Sequence, residues 1–479
     1  MEIKNRTDIK NFIVDIEKKF DILQWKVNDI HLWPLIRIEL YFALIKSIEN
    51  NDLIISVPNK SFSTKQKKIK YNLTFRIKRQ LKHTYEKSQI YLKLKKATKN
   101  LRKRETVFVS EKMYRSEING IYYNKFFDPL IADKTEKSFL FWEYGEILKN
   151  FSNQNTIIDF IKVNSLYKRY LYLIFDKNKI DVFLEGYESL WEYITTSNPN
   201  LSSDSLTKEA ISRQALIFHQ AFQTATYLLK KVQPKKVFIL WYYGFPGFAI
   251  SAAANKLNIK TIEMQHGPQT DLHLAYANWT KTPASGFDML PRNYWCWDKN
   301  SADVITKWSK SNPLYKVEIN GNPWHSFDIG IKNISEDYVL YCMQPIPLSV
   351  TQLIFPTLIE TIRSSEKKWY IRFHPRQKDE EIQEIITIIE KNNILHKVNF
   401  DDANRISLPQ LIKNCSFSVT HFSGCALEAY MFKKKTIFIN EIGLHSFPEI
   451  FKDKFAYYID YNDTNFEEKF RKIENQINT

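Results

Sequence analysis

A chain of 479 residues, 44% apolar and 25% charged, is too long for one ordinary domain and has the balance of a globular protein, so two or three domains are expected. Four scattered cysteines (Cys296, Cys342, Cys415, Cys425) contain no CxxC pair, which argues against a disulfide framework or a zinc site and fits a reducing compartment. The formal charge of +16 is concentrated: residues 65–104 hold 16 Lys and Arg against one acid, Glu86, so 16 − 1 = +15 lies in that segment and the rest is nearly neutral.

Residues 1–58 read as helical, with an apolar stretch, WKVNDIHLWPLIRIELYFALIKSIE, that carries Pro34 near its start. The opening MEIKNRTDIKNF is polar and has no apolar signal-peptide core. The basic segment 65–104 places Leu73, Ile77, Leu81, Ile90, Leu92 and Leu94 along an imperfect amphipathic helix. Such a helix suits the anionic inner face of a membrane, where each basic residue contributes about 1 kcal/mol. A solvated basic linker and a nucleic-acid contact are the other readings. No zinc-finger, RRM or helix-turn-helix pattern accompanies the basic run, so no nucleic acid is expected.

From about residue 105 short apolar strands alternate with helices. The strand candidates are 106–110, 138–142, 181–185, 236–241, 260–264, 294–297 and 317–321, with extra helices at 145–180 and 205–231. After the polar NISED the rhythm resumes with YVLYCM, WYIRF, VNF, SFSVT and TIFIN, each followed by a helical stretch. This alternation predicts an α/β chain with two Rossmann-like domains facing a cleft and a helical, basic N-terminal extension. Two uncharged windows, Val237–Asn255 and Tyr338–Ile359, have the length of membrane spans, but Gly and Pro at mid-window divide each into a strand and a helix start.

In open α/β sheets ligands bind beyond the carboxyl ends of the strands, so residues there are candidates. In WYIRFHPRQ, His374 flanked by Arg372 and Arg376 offers an imidazole and two guanidinium groups to a phosphate. In SFSVTHFSGCALEAYMF, Ser423 is a candidate N-cap and Gly424 leaves room for a ligand. Glu428, one turn on, could accept from ribose hydroxyls. In KTIEMQHGPQTDLH, Gln265, His266 and Gly267 form a tip, and His266 could meet the leaving phosphate or the acceptor. In DVFLEGYES, Glu185 ends a predicted strand with Glu188 close behind; a carboxylate here could act as general base. The YYGFPG turn, where Gly244 and Gly247 open a helix, could receive the acceptor or the sugar. Asp401–Asp402 reads as nucleotide-side surface or a cap rather than a metal site. For each of these residues an ordinary turn or surface role is the competing reading.

QHG, then HPR roughly 110 residues later, then SGCALEA and KKKTIFIN, resembles the GT-B glycosyltransferases of bacterial capsule and lipopolysaccharide biosynthesis over about residues 180–445. The likeness is to HP-motif enzymes that use CMP-activated sugars, of the sialyl- and Kdo-transferase type. That resemblance implies His374 and Ser423 on the donor phosphate, Glu428 near the ribose, and no metal or other cofactor. It matches the family's acidic motif only loosely, through LEGYE.

It further implies an acceptor-side domain over 105–330 and a nucleotide-sugar-binding domain over 331–479, after a helical region 1–104. The expected activity is transfer of a nonulosonic acid from a CMP-linked donor to a cell-surface glycan or lipid-linked acceptor, by a cytoplasmic enzyme peripheral on the inner membrane face through residues 65–104. A CDP-polyol phosphotransferase, a nucleotide-sugar epimerase of the same fold and a non-enzymatic basic scaffold are the alternatives.

Overall fold

The computed structural model describes residues 3–49, 73–99, 101–118, 120–132, 138–144, 150–152, 157–174, 180–199, 201, 204–326, 336–344 and 348–478. Two parallel sheets organise it. The first runs Lys316–Ile319, Asn293–Cys296, Lys260–Met264, Lys236–Ile239, Thr106–Glu111, Phe139–Tyr144, Ile157–Asp159 from edge to edge. The second runs Val398–Asn399, Lys368–Arg372, Tyr338–Cys342, Phe417–Thr420, Thr436–Phe438, Ala456–Tyr458.

Numbered within its own lobe, the second sheet has the order 3-2-1-4-5-6, and the first has the same order with a seventh strand added. In this doubly wound topology the helices cross in opposite directions on either side of strands 1 and 4. A crevice opens there, at the strands' carboxyl ends. Two Rossmann-like lobes in one chain are the GT-B arrangement expected.

The elements follow their residues. The helix Lys208–Val232 is capped by the Thr207 hydroxyl on the Ala210 N–H. It buries Ile211, Ala215, Phe218, Ala221, Ala225, Leu228 and Val232, at the three- and four-residue spacing of one face. It ends on Gln233 in the left-handed conformation. The central strands Thr106–Glu111 and Tyr338–Cys342 are buried along almost their whole length, as strands covered on both faces must be.

Three features depart from the sequence reading. Ile157–Asp159 and Ala456–Tyr458 are short edge strands the pattern did not reveal. Residues 181–185 do not join the parallel sheet: Val182–Phe183 pairs antiparallel with Lys26–Val27, in a small sheet completed by Ile30–His31, so the stretch 1–58 expected to be helical is interrupted by two short strands. A hairpin, Arg115–Ile118 with Ile121–Asn124, follows the first central strand.

The N-terminal helices Arg6–Lys19 and Trp33–Glu49 share one apolar core with the first lobe, from Ile9 through Val107 to Tyr315. Within it lies a buried ion pair, Arg37 Nε to Glu17 Oε1 at 2.8 Å, with both side chains wholly enclosed. Trp33 Nε1 donates to Glu17 Oε1, and the Thr280 N–H and hydroxyl donate to Oε2. Arg37 donates to the carbonyls of Leu274, Ala277 and Asn278. The pair thus anchors the chain that descends from the QHG tip to the N-terminal helices. Breaking one partner of such a pair costs about 3–5 kcal/mol.

The lobes touch. A third apolar cluster joins Phe108, Phe126, Phe127, Ile262 and Trp297 of the first to Ala426, Leu427, Phe438 and Phe447 of the second. The expected boundary at 330/331 and residues 65–72 of the basic segment lie outside the described residues. Among the described residues no helix is long and apolar enough to cross a membrane.

Candidate functional site

The carboxyl ends of the two sheets face each other. The Gly267–Pro268 turn, beyond the strand Lys260–Met264, meets the turn after Phe417–Thr420. A Cβ placed on Gly424 would lie 3.0 Å from Pro268 Cδ. Gly424 therefore sits where the other lobe approaches closely. A Cβ on Gly267 would meet nothing within 4 Å, so open space adjoins that tip.

On the first lobe, His266 is held on several sides. Its ring packs edge-on to Tyr114 at 5.3 Å between centroids and stacks on Tyr243 at 6.2 Å. Its Nδ1 faces the Glu263 carboxylate at 3.4 Å and the Met264 carbonyl at 3.3 Å. Two acceptors on one nitrogen place the proton on Nδ1 and leave the Nε2 lone pair free.

Glu263 is fully buried on the neighbouring strand position. It accepts from the Tyr276 hydroxyl at 2.8 Å and the Tyr242 N–H at 3.3 Å. Burial pushes its carboxyl up, against the pull of His266 and these donors. The arrangement is a base held in one tautomer by a buried acid. Glu263 was legible in the sequence as the start of EMQHG, but nothing there showed that it faces inward on His266.

Gln265 is consumed by structure. Its side-chain amide donates to the Gly267 carbonyl and the Ser301 hydroxyl, both at 3.0 Å, and its Oε1 accepts the Trp297 N–H at 2.7 Å.

Residues after the first central strand supply a cation that sequence reasoning missed. The hairpin is pinned by the buried pair Arg115 Nη2–Glu143 Oε1 at 2.5 Å. It is pinned again by Asn124, whose amide donates to Ser110 Oγ at 2.6 Å and whose Oδ1 accepts the N–H groups of Phe126 and Phe127. Lys125 lies between, with its N–H on the Tyr114 carbonyl. Its ammonium has no carboxylate within ion-pairing distance among the described residues. Burial pulls its pKa down, and the charge of Arg372 lowers it further while Glu428 and Cys425 oppose this. Those three partners belong to the second lobe, so Lys125 reaches across the cleft. The only sequence trace is a lone Lys in YYNKFF, which has no motif around it.

On the second lobe, His374 follows the strand Lys368–Arg372. Its Nδ1 accepts the Arg376 N–H at 3.1 Å, which fixes the ring proton on Nε2 and makes that atom a donor. Burial first, then the charges of Arg376 and Lys125, push the imidazole down to about 3, so it is neutral at physiological pH. Gln377 Oε1 accepts the His374 N–H at 3.3 Å, and its buried Nε2 has no hydrogen-bond partner among the described residues.

Arg372 is braced by the carbonyls of Ala403 and Ile406 at 2.6 and 2.8 Å. Arg376 is exposed, and its charge is felt by the Tyr243 hydroxyl of the first lobe.

The Ser423 tip differs from expectation. Gly424 occupies the N-cap of the short helix Cys425–Met431 and makes no side-chain cap bond. The Ser423 hydroxyl lies 3.2 Å from Cys425 Sγ and accepts the Cys425 N–H at 3.4 Å. The Ala426 and Leu427 N–H groups are taken by the carbonyls of Ser423 and Gly424. The helix start is thus less open to an anion than the sequence suggested.

Glu428 sits at the cleft with Oε2 3.3 Å from His325 Nε2, and the His325 ring packs on Phe432. His421, the third strand-tip histidine, is not in the cleft. It is fully buried against Tyr341 and Tyr461, and among the described residues neither ring nitrogen has a partner at hydrogen-bond geometry. Its pKa is pushed down to about 3 by burial, against the backbone of Gln352 and the Asp460 carboxylate.

Glu185 and Glu188 lie elsewhere. Glu185 is exposed beyond the small antiparallel sheet, with its carbonyl on Trp25 Nε1. Glu188 is exposed and pairs with Lys208. Neither is at a tip of the parallel sheets, because the 181–185 run pairs with the N-terminal strands instead. Among the described residues no group of three or more His, Cys, Asp or Glu is placed to hold a metal ion.

No protein-family model and no curated protein sequence matches the chain. Solved structures similar in fold include a Staphylococcus aureus MnaA–UDP complex (13% identity, TM-score 0.44, 77% of this chain and 87% of that one). A Neisseria meningitidis UDP-GlcNAc 2-epimerase bound to UDP-GlcNAc is another (12%, 0.42, 77% and 90%). A third is Acinetobacter baumannii MurG (10%, 0.40, 78% and 92%). These likenesses concern architecture, and no residue role is carried over from them.

Proposed function

We propose that the chain is a nucleotide-sugar enzyme that grips a nucleoside-diphosphate sugar in the interlobe cleft and expels the nucleotide. The observation that carries this is Lys125, a cation with no carboxylate at ion-pairing distance among the described residues, gathered with Arg372, Arg376 and the Nε2–H donor of His374. Three cations against Glu428 leave 3 − 1 = +2 at the site. That excess suits a diphosphate better than the single bridging charge of a CMP-sugar, so the donor class expected from the sequence shifts. Fixed cations and donors aimed at the leaving oxygens stabilise charge as it develops.

His266 Nε2 takes the proton of an attacking acceptor hydroxyl, and Glu263 stabilises the imidazolium that forms. This replaces Glu185 as the base. Glu428, beside His325, is placed for ribose hydroxyls.

Transfer to a glycan or lipid-linked acceptor of capsule or lipopolysaccharide type, by an enzyme peripheral on the inner membrane face, is the fuller reading, supported by the basic helix. Epimerisation of the same donor is the second reading. It is favoured by the doubly held His266, which can also serve proton exchange at the sugar.

Thermal shift with UDP, CDP, GDP and CMP is the first test. A ligand at 100 times its Kd stabilises by about 2.7 kcal/mol. The expected order has the diphosphates ahead of CMP, and no shift with any nucleotide would overturn the reading. Donor turnover without acceptor then separates epimerase from transferase.

A further inference from the structure

The helix Leu73–Ala97 packs beside Phe160–Ile174, and the ring of Tyr91 meets that of Tyr170 at 6.0 Å. The first helix turns Ile90, Leu94 and Ala97 inward. Its outer side carries Tyr85, 65% exposed, and Leu92, 56% exposed, among the exposed Lys93, Lys95, Lys96 and Lys99. The second helix exposes Ile161, Lys162, Lys168, Arg169 and Tyr172 along one side, with Tyr172 at 76%. Between them opens a cleft of about 410 Å³, lined by Ile90, Lys168, Arg169, Tyr172 and Leu173 among others. Among the described residues, aliphatic and aromatic side chains stand largely in water here beside cations.

We propose that these two helices form one composite face that docks on an anionic lipid bilayer. It rests on the peripheral-membrane part of the functional reading and deepens it, because the second helix adds a half that the basic run does not contain. Charge complementarity selects the occupant. Residues 82–104 hold nine Lys and Arg against Glu86, 9 − 1 = +8, while the chain outside 65–104 is nearly neutral. Lys168 and Arg169 extend that field onto the neighbouring helix. Tyr85, Leu92, Ile161 and Tyr172 enter the headgroup boundary, where amphipathic rings and alkyl groups are favoured, and the lysines reach lipid phosphates. An exposed Leu and Ile offer little to a nucleic acid.

The test is sedimentation of the full chain with phosphatidylcholine vesicles, with and without phosphatidylglycerol. Binding to the mixed vesicles only is expected. Y85S/L92S/Y172S, which keeps every charge, and K168Q/R169Q, confined to the second helix, should each weaken that binding by about threefold or more. Donor turnover in solution should stay at the wild-type level in both. That readout shows the fold intact and keeps a failure of docking separate from a failure of the nucleotide-sugar reading. No binding to anionic vesicles overturns the proposal. Unchanged binding in K168Q/R169Q and in Y172S alone also overturns it, because the basic helix would then act by itself. Complete displacement of bound chain from vesicles by a single-stranded oligonucleotide at equal phosphate concentration would assign the face to nucleic acid instead.

Discussion

The two lobes share one strand order yet bring opposite chemistry to the cleft. The first presents a proton-handling group, His266 on a buried acid within tyrosines, together with one cation on a pinned hairpin. The second presents anion-holding groups, the Arg372 guanidinium at the end of its second strand and a neutral donor imidazole and a further guanidinium on the turn that follows. The same topology therefore fixes where side chains arrive, and local sequence decides what they do there. A histidine becomes an acceptor at Nε2 when its Nδ1 faces a carboxylate, and a donor at Nε2 when its Nδ1 accepts an amide.

That contrast is open to direct attack. His266→Ala should cost the most turnover, about 10²–10⁴-fold, as expected for loss of general base catalysis, with nucleotide affinity nearly unchanged. Glu263→Gln should lower kcat less and move the acid limb of the pH–rate profile; an unmoved profile would remove Glu263 from the site. On the second lobe His374→Ala, and from across the cleft Lys125→Met, should instead weaken UDP binding by about tenfold or more, because a charge-assisted hydrogen bond contributes about 1.5–3 kcal/mol. If either substitution left UDP affinity intact and cut only kcat, the division of labour between lobes would be wrong.

Stability should show a pH signature of its own. His273, His374 and His421 are each held at about 3 by burial, whereas the unfolded chain protonates near 6.5. The unfolded state therefore binds more protons as pH falls through that window. Stability is fully present above about pH 6.5 and declines by at most about 1.4 kcal/mol per pH unit for each histidine. Urea midpoints at pH 7 and pH 5 measure the decline, and His421→Phe should flatten it without touching turnover. The smallest effect belongs to Glu185→Gln and Glu188→Gln, which should leave turnover at the wild-type level.

Much of the architecture was readable in the chain. The βα alternation gave both lobes and most strands, since a strand buried on both faces must be a short apolar run bounded by turn residues. The run at 181–185 misled because its composition is that of a strand while its partner is Lys26–Val27, and pairing is a long-range fact. Of the candidate site, His266, Arg372, His374, Arg376, Gly424 and Glu428 do gather where strand tips face one another. Gln265 is spent on a loop, and Lys125 has no local signal because its meaning comes from residues some 250 positions away.

By itself the sequence determined the periodicities, the turn residues at the strand ends and the concentration of charge in one segment, because each is a property of neighbours along the chain. Tertiary structure alone decided which tips confront each other, which ring nitrogen carries a proton and which lysine is carried to the facing lobe. Those outcomes depend on burial and on distances between residues that only packing brings together.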